Sequence, residues 1–172
     1  MATRLDDRMR AARTARLRQV VADAERLCRE KGERLTPVRR EVLRLLARSE
    51  EPLGAYALLA QLRRQRTGRV DAPTVYRALD FLLKLGLATR IESRSAWVLV
   101  DRSARSDASV FFLCNTCNTS VAIENLGVAD LIADSARSLG FQVNRPVIEC
   151  SGTCASCSTP PVTTPTGQER SP

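Results

Sequence analysis

Two short cysteine pairs constrain this chain more than any other feature. "CNTC" places Cys114 and Cys117 three positions apart, and "CASC" does the same for Cys154 and Cys157, with about 36 residues between the pairs. A C-x-x-C turn brings two sulfurs within reach of one ion, and two such turns complete the tetrahedral four-thiolate shell that Zn2+ prefers. That shell has no open position, so the spacing predicts a structural zinc, one per subunit. Redox chemistry and plain packing are the rival readings. A thioredoxin-like pair opens a helix after a strand, whereas "CNTCNTS" sits between two strand-like segments and nothing marks one cysteine as the attacking thiol. A thiol redox protein using C-x-x-C is therefore the enzyme-class alternative. Cys150, in "CSGTCASC", is a third thiol near the second pair: a substitute ligand, a resolving thiol or a spare buried cysteine. Cys28 reads as a helix packing residue.

Composition supports metal over disulfides. No apolar run reaches the roughly 18 to 20 residues needed to cross a bilayer, and the charged N-terminus has no apolar signal core, so a cytoplasmic protein without a membrane partner is expected. Cysteines in that reducing compartment serve as ligands or reactive thiols first. The 172 residues contain no histidine, which removes the commonest acid–base group and the usual partner of a catalytic thiol. Lys and Arg together number 27 against 19 Asp and Glu, a formal net charge of +8. Such an excess favours a polyanionic partner, because each neutralised phosphate releases condensed counterions.

Periodicity divides the chain in two. Residues 7–31 predict a helix stopped by Gly32, with Val20, Val21, Ala24, Leu27 and Cys28 as its apolar stripe. "LTPVRREVLRLLARS" predicts a second, with Thr36 as N-cap and Pro37 at the first helical position. "AYALLAQLRRQR" predicts a third, ending near Gly68. Over Ala72–Gly86, "APTVYRALDFLLKLG" gathers Val75, Ala78, Leu79, Leu82 and Leu83 on one side, with Arg77, Asp80 and Lys84 opposite. After Gly86 the period changes, and "LATRIES" and "AWVLVD" read as a hairpin joined through "SRS". This order describes a winged helix-turn-helix over residues 1–100. Arg77 suits the acceptor pair of guanine, and Thr74, Arg39 and Arg40 are placed to reach phosphates.

Residues 101–109, "DRSARSDAS", read as a hinge. A second unit over 110–157 carries strands "VFFLC" and "SVAIE", a helix from about Val128 to Ser138, and the strand "FQVNRPVIEC". About 50 residues are too few for a robust core, so this unit is expected to be completed by a metal, a second subunit, or both. Residues 158–172, rich in Pro, Thr and Ser, are expected to be a disordered tail. The expected fold class is α+β.

Several of these stretches together carry a resemblance. "LTPVRREVL", "PTVYRALDFLLKLGL", the paired C-x-x-C motifs and "GFQVNRPVIECSGTCASC" resemble the ferric uptake regulator family over Leu35–Cys157. "TVYRALDFLLKLG" and the ending "VIECSGTCASC" are most similar to its zinc uptake regulator branch. The resemblance implies an N-terminal winged helix, a C-terminal α/β dimerisation domain, a homodimer, and repression through palindromic double-stranded DNA. It also implies that Tyr76 and Arg77 meet DNA, with Tyr76 as a flank packing residue the other reading. The branch senses zinc at a second site near the hinge, built from two histidines, a cysteine and a glutamate. Here Thr89 and Asp107 stand at the histidine positions and Val100 at the cysteine, while Glu124 matches the glutamate. Carboxylates alone favour harder ions. The expectation is therefore a regulator with intact structural zinc and a degenerate sensory site, of which Asp107 and Glu124 are remnants. A zinc-responsive repressor of zinc uptake genes using unorthodox ligands is the alternative, and an interaction module without DNA binding is less favoured.

Overall fold

The computed structural model describes residues 2–65, 70–100, 109–124, 126–143 and 146–158. The elements run α1 (Ala2–Glu30), α2 (Pro37–Arg48), β1 (Leu53–Gly54), α3 (Ala55–Gln65), α4 (Ala72–Lys84), β2 (Ala88–Ile91), β3 (Ala96–Leu99), β4 (Ser109–Cys114), β5 (Ser120–Glu124), α5 (Leu126–Ser138), β6 (Val147–Gly152) and α6 (Ala155–Ser158).

Local chemistry sets the helix ends in the first half. The Thr36 hydroxyl accepts from the Arg39 amide at 3.5 Å to cap α2, and the Asp71 carboxylate accepts from the Thr74 amide at 2.9 Å to cap α4. Gly86 ends α4 in the left-handed region at φ 66, which only glycine adopts without cost. The Gly86 amide donates to the Leu83 carbonyl and the Leu87 amide to that of Leu82, both at 2.9 Å, so the chain leaves α4 already turned toward β2.

α2, α3 and α4 bury one face each. Leu43, Leu58, Leu62, Leu79, Leu82, Val42 and Val75 are all sealed from solvent, and α1 adds Ala24, Leu27 and Cys28, so Cys28 is a packing residue as expected. β2 and β3 form an antiparallel hairpin with Ala88 opposite Leu99 and Arg90 opposite Trp97. β1, which no sequence signal announced, adds a third strand by pairing Leu53 with Trp97 and Gly54 with Ala96. This three-stranded sheet, ordered β1-β3-β2, is the wing.

The second sheet has the order β5-β4-β6, with β4 antiparallel to β5 and parallel to β6. Its inner face, with Phe111 and Leu113 on β4, packs against Ile91 and Val98 of the wing. Its outer face carries Phe112, Val121 and Ile123, all exposed.

Several boundaries differ from expectation. α1 begins at Ala2 rather than residue 7, and α5 at Leu126 rather than Val128. Of the strand expected over Phe141–Cys150, β6 takes up Val147–Cys150 and runs on to Gly152, with Val147 opposite Ser109 of β4. Gly68 and residues 101–108 of the expected hinge lie outside the described residues, while Ser109 already belongs to β4. Of the expected tail, Ser158 closes α6 and the remainder lies outside the described residues. No described helix is long and apolar enough to cross a membrane.

Candidate metal centre and nucleic-acid interface

The parallel pairing of β4 and β6 builds the cysteine site. Cys114 ends β4 opposite Gly152, which ends β6, so the turns that follow the two strands emerge side by side. The first turn folds back through the Asn118 amide, which donates to the Cys114 carbonyl at 3.1 Å, and Asn118 takes a left-handed backbone at φ 61. The second is closed by the Cys157 amide donating to the Cys154 carbonyl at 3.0 Å. All four sulfurs consequently lie within 4.8 Å of one another, and Cys117 and Cys154 are 3.7 Å apart. A tetrahedral Zn2+ with bonds near 2.3 Å requires sulfurs about 3.8 Å apart, so the donor set and its spacing fit that ion.

Electrostatics in the quartet fit metal binding as well. Backbone N–H groups of Cys117, Cys154 and Thr116 hold the Cys114 thiol down to about 5, below its ordinary range, and a hydrogen bond to Thr119 lowers Cys117. Cys157 is pushed up to about 12 by hydrogen bonds to Cys154 and Cys117. Cys150 lies outside the quartet, on β6 opposite Phe112. Among the described residues the four cysteines are the one group of three or more His, Cys, Asp or Glu side chains arranged to hold an ion.

The candidate DNA face is the outer side of α4. Tyr76 and Arg77 are exposed there and Thr74 is half-buried, and the Arg77 guanidinium donates to the Thr74 hydroxyl at 3.2 Å, one turn back on the same helix. The Tyr76 ring meets the Trp97 ring edge-on at 6.1 Å, with the Arg90 guanidinium 5.5 Å from the same tryptophan. Tyr76 packs on the wing, as the flank-packing reading expected, and still leaves much of its surface facing solvent. Arg39 and Arg40 have internal partners. Arg39 donates to the Arg34 carbonyl at 2.7 Å and sits 3.5 Å over the Phe81 ring, and Arg40 pairs with Glu25 at 2.6 Å. Arg90 and Trp97 escaped the sequence reading, since nothing in "ATRIESRSAW" marks them apart from an ordinary strand pair.

Of the four positions weighed for a sensory site, two have described surroundings. Thr89 is buried on β2 opposite Val98, and the Val100 amide donates to the Leu87 carbonyl at 3.0 Å. Glu124 ends β5 opposite Ser109, and Asp107 lies outside the described residues.

Comparison with known proteins agrees with this geometry. Residues 30–151 match the model of the ferric uptake regulator family. The zinc uptake regulation protein of Escherichia coli (strain K12) is 38% identical over 140 residues, covering 81% of this chain and 81% of the relative. A zinc uptake regulator solved in complex with zinc and DNA superposes with a TM-score of 0.77 at 37% identity, covering 82% of this chain and 94% of that one. Holo XcZur gives 0.71 at 40% identity, covering 80% and 95%.

Proposed function

The chain belongs to the ferric uptake regulator family, and from that premise we propose that it is a homodimeric, sequence-specific DNA-binding repressor with structural zinc at Cys114, Cys117, Cys154 and Cys157. Members of this family are transcriptional regulators, not enzymes. The observation that carries the reading is the outer face of α4, where Arg77 and Tyr76 stand exposed beside a three-stranded wing. A helix presented this way enters the major groove, where arginine reads the two acceptors of guanine. Thr74 at the helix start reaches phosphate, and Arg39 does so from α2, while Arg40 does so only by leaving Glu25. Residues 1–100 form the DNA-binding part, 101–109 the hinge and 110–157 the dimerisation part. A second copy covers Phe112, Val121 and Ile123, whose exposure is costly in a lone subunit. Bound zinc ties the ends of β4 and β6 together, and the chain's own turns supply all four thiolates.

The metal switch usual in the zinc-sensing branch is absent in this reading. Thr89 supplies one buried hydroxyl and Val100 no donor, and Asp107 and Glu124 supply only oxygens. A site without zinc affinity has no leverage on a conformational equilibrium.

One binding series tests both halves. With the cysteine site filled, affinity for a duplex selected from a random pool stays flat across buffered picomolar to nanomolar zinc. Arg77→Ala weakens it by about 1 to 3 kcal/mol and relaxes selectivity at one base per half-site. Arg39→Ala weakens all sequences alike and lowers the salt slope by about one. A steep zinc dependence abolished by Asp107→Ala or Glu124→Ala restores the zinc-responsive alternative, and equal affinity of Arg77→Ala and wild type refutes the recognition helix.

A further inference from the structure

The tip of the wing is bolted to the metal-bearing sheet. Between β2 and β3 the chain makes a single tight turn, Glu92–Arg94, and leaves it through Ser95 in the left-handed region at φ 46. Two groups of the second sheet seize that turn. The Glu149 carboxylate, on β6, accepts from the Glu92 amide at 2.7 Å, the Ser93 amide at 3.2 Å and the Ser93 hydroxyl at 2.5 Å. In the opposite direction, Arg94 reaches across the first cysteine turn and donates to the Cys114 carbonyl at 2.7 Å and the Asn118 carbonyl at 2.9 Å. Between these polar anchors lies the apolar contact of Ile91 and Val98 with Phe111 and Leu113.

Each part has its geometric reason. Glu149 pairs with Phe111 in the β4–β6 register, so it projects from the inner face, the side that meets the wing. Partial burial pushes its carboxyl up, but the bonds from Ser93 and Glu92 and the charge of Arg94 outweigh this and leave it below the usual carboxylate range. Hydrogen bonds to a charged group are the stronger kind, and three converge here on one carboxylate.

We infer that Glu149 and Arg94 are positioning residues for DNA recognition: with Ser93 they latch the winged helix onto the cysteine-bearing sheet and hold it in one orientation without a sensory metal. The inference rests on the DNA-binding reading above and deepens it. Two recognition helices of a dimer must reach half-sites about 34 to 36 Å apart. A winged helix free to pivot on its dimerisation unit holds that spacing only part of the time, and apparent affinity falls in proportion. Because Arg94 holds the Cys114 and Asn118 carbonyls, the turn that grips the metal is also the turn that grips the wing.

Zinc-loaded full-length dimer is compared with Glu149→Ala, Glu149→Gln and Ser93→Ala. Removing a negative charge from a DNA-binding protein raises affinity by simple electrostatics, so the latch predicts the opposite sign. Glu149→Ala, which removes all three bonds, is expected to lose affinity for the selected duplex by about tenfold and Ser93→Ala, which removes one, by less, with the salt slope, zinc content and dimer mass unchanged and the double variant no worse than Glu149→Ala. Glu149→Gln, which keeps an acceptor oxygen, falls between. Hydrogen exchange reads the latch directly and without DNA: the Glu92 and Ser93 amides lose protection in Glu149→Ala, while those of β2 keep theirs. Affinity equal to or above wild type in Glu149→Ala overturns the inference, as does unchanged protection of the two amides, or loss of zinc or of the dimer in Ser93→Ala. A wild type that recovers no duplex from the pool overturns the DNA-binding reading itself, and the inference with it.

Discussion

The two halves of this molecule solve the problem of stability in different ways. In the first, four helices and the wing enclose a continuous core from Ala24 to Trp97. In the second, the inner face of the sheet buries Phe111 and Leu113, and does so against wing residues Ile91 and Val98. Its outer face leaves Phe112, Val121 and Ile123 uncovered, and α5 and the segment after it leave Leu131, Leu139 and Phe141 exposed. The first half is closed by its own side chains. The second leans on the wing, and in the function proposed above it is completed by an ion on the cysteine quartet and by a second copy. A unit of that size cannot amortise its backbone entropy from apolar burial alone.

The sharpest way to break this contrast is to remove a metal ligand. Cys114→Ser and Cys154→Ser are expected to lose the zinc and melt the second half while the helices of the first persist, because structural zinc binding in small domains reaches about 10 to 16 kcal/mol and that free energy is folding free energy. Zinc analysis and calorimetry decide it: full zinc content and a single unshifted transition in both variants would sink the idea. Loss of zinc in Cys150→Ser would move a ligand to Cys150.

The converse experiment empties a space in the first half. Leu79 is fully buried on α4, and Leu79→Ala is expected to cost about 2 to 5 kcal/mol. If the halves differ as described, the low-temperature loss falls on the helices while zinc stays on the quartet. Release of zinc at the same temperature as helix melting would show one cooperative unit instead.

Smallest of all is the cap of α4. Hydrogen bonds from Thr74 hold the Asp71 carboxyl below its ordinary value. A carboxylate with a depressed folded-state pKa contributes stability that is present above its unfolded pKa and lost as pH falls through the folded one. Asp71→Asn keeps a capping acceptor but not the charge, so it should melt slightly below wild type near neutral pH, and the gap should close in acid. Melts of both proteins from pH 7 down to pH 3 measure it, and a gap that widens in acid contradicts the cap.

What was legible in the sequence was local. Thr36 and Pro37 announce α2, the stripe from Val75 to Leu83 announces α4, and each C-x-x-C carries its chemistry within four residues. What escaped depends on partners distant in the chain. β1 is two residues long and exists because Trp97 and Ala96 pass beside it. The register of β6 is set by the residues of β4 it runs beside, which lie far earlier in the chain, Ser109 for Val147. The bond from Ser93 to Glu149 spans 56 positions, and neither residue has a local pattern to betray it. Charge marks Arg39 in the sequence, but its seat over the Phe81 ring is one that only helix packing supplies.

Trp97 gives the molecule a built-in lamp. It is the one tryptophan in the chain, it sits in the wing, and Tyr76 of the helix offered to DNA stands against it edge-on at 6.1 Å. Ultraviolet emission therefore reports on the first half alone, and on the very contact that seats α4 beside the wing. A duplex that draws Tyr76 away from the indole should change the colour or yield of that emission without any attached dye. A protein stripped of zinc should keep the native emission while calorimetry already registers a loosened partner half.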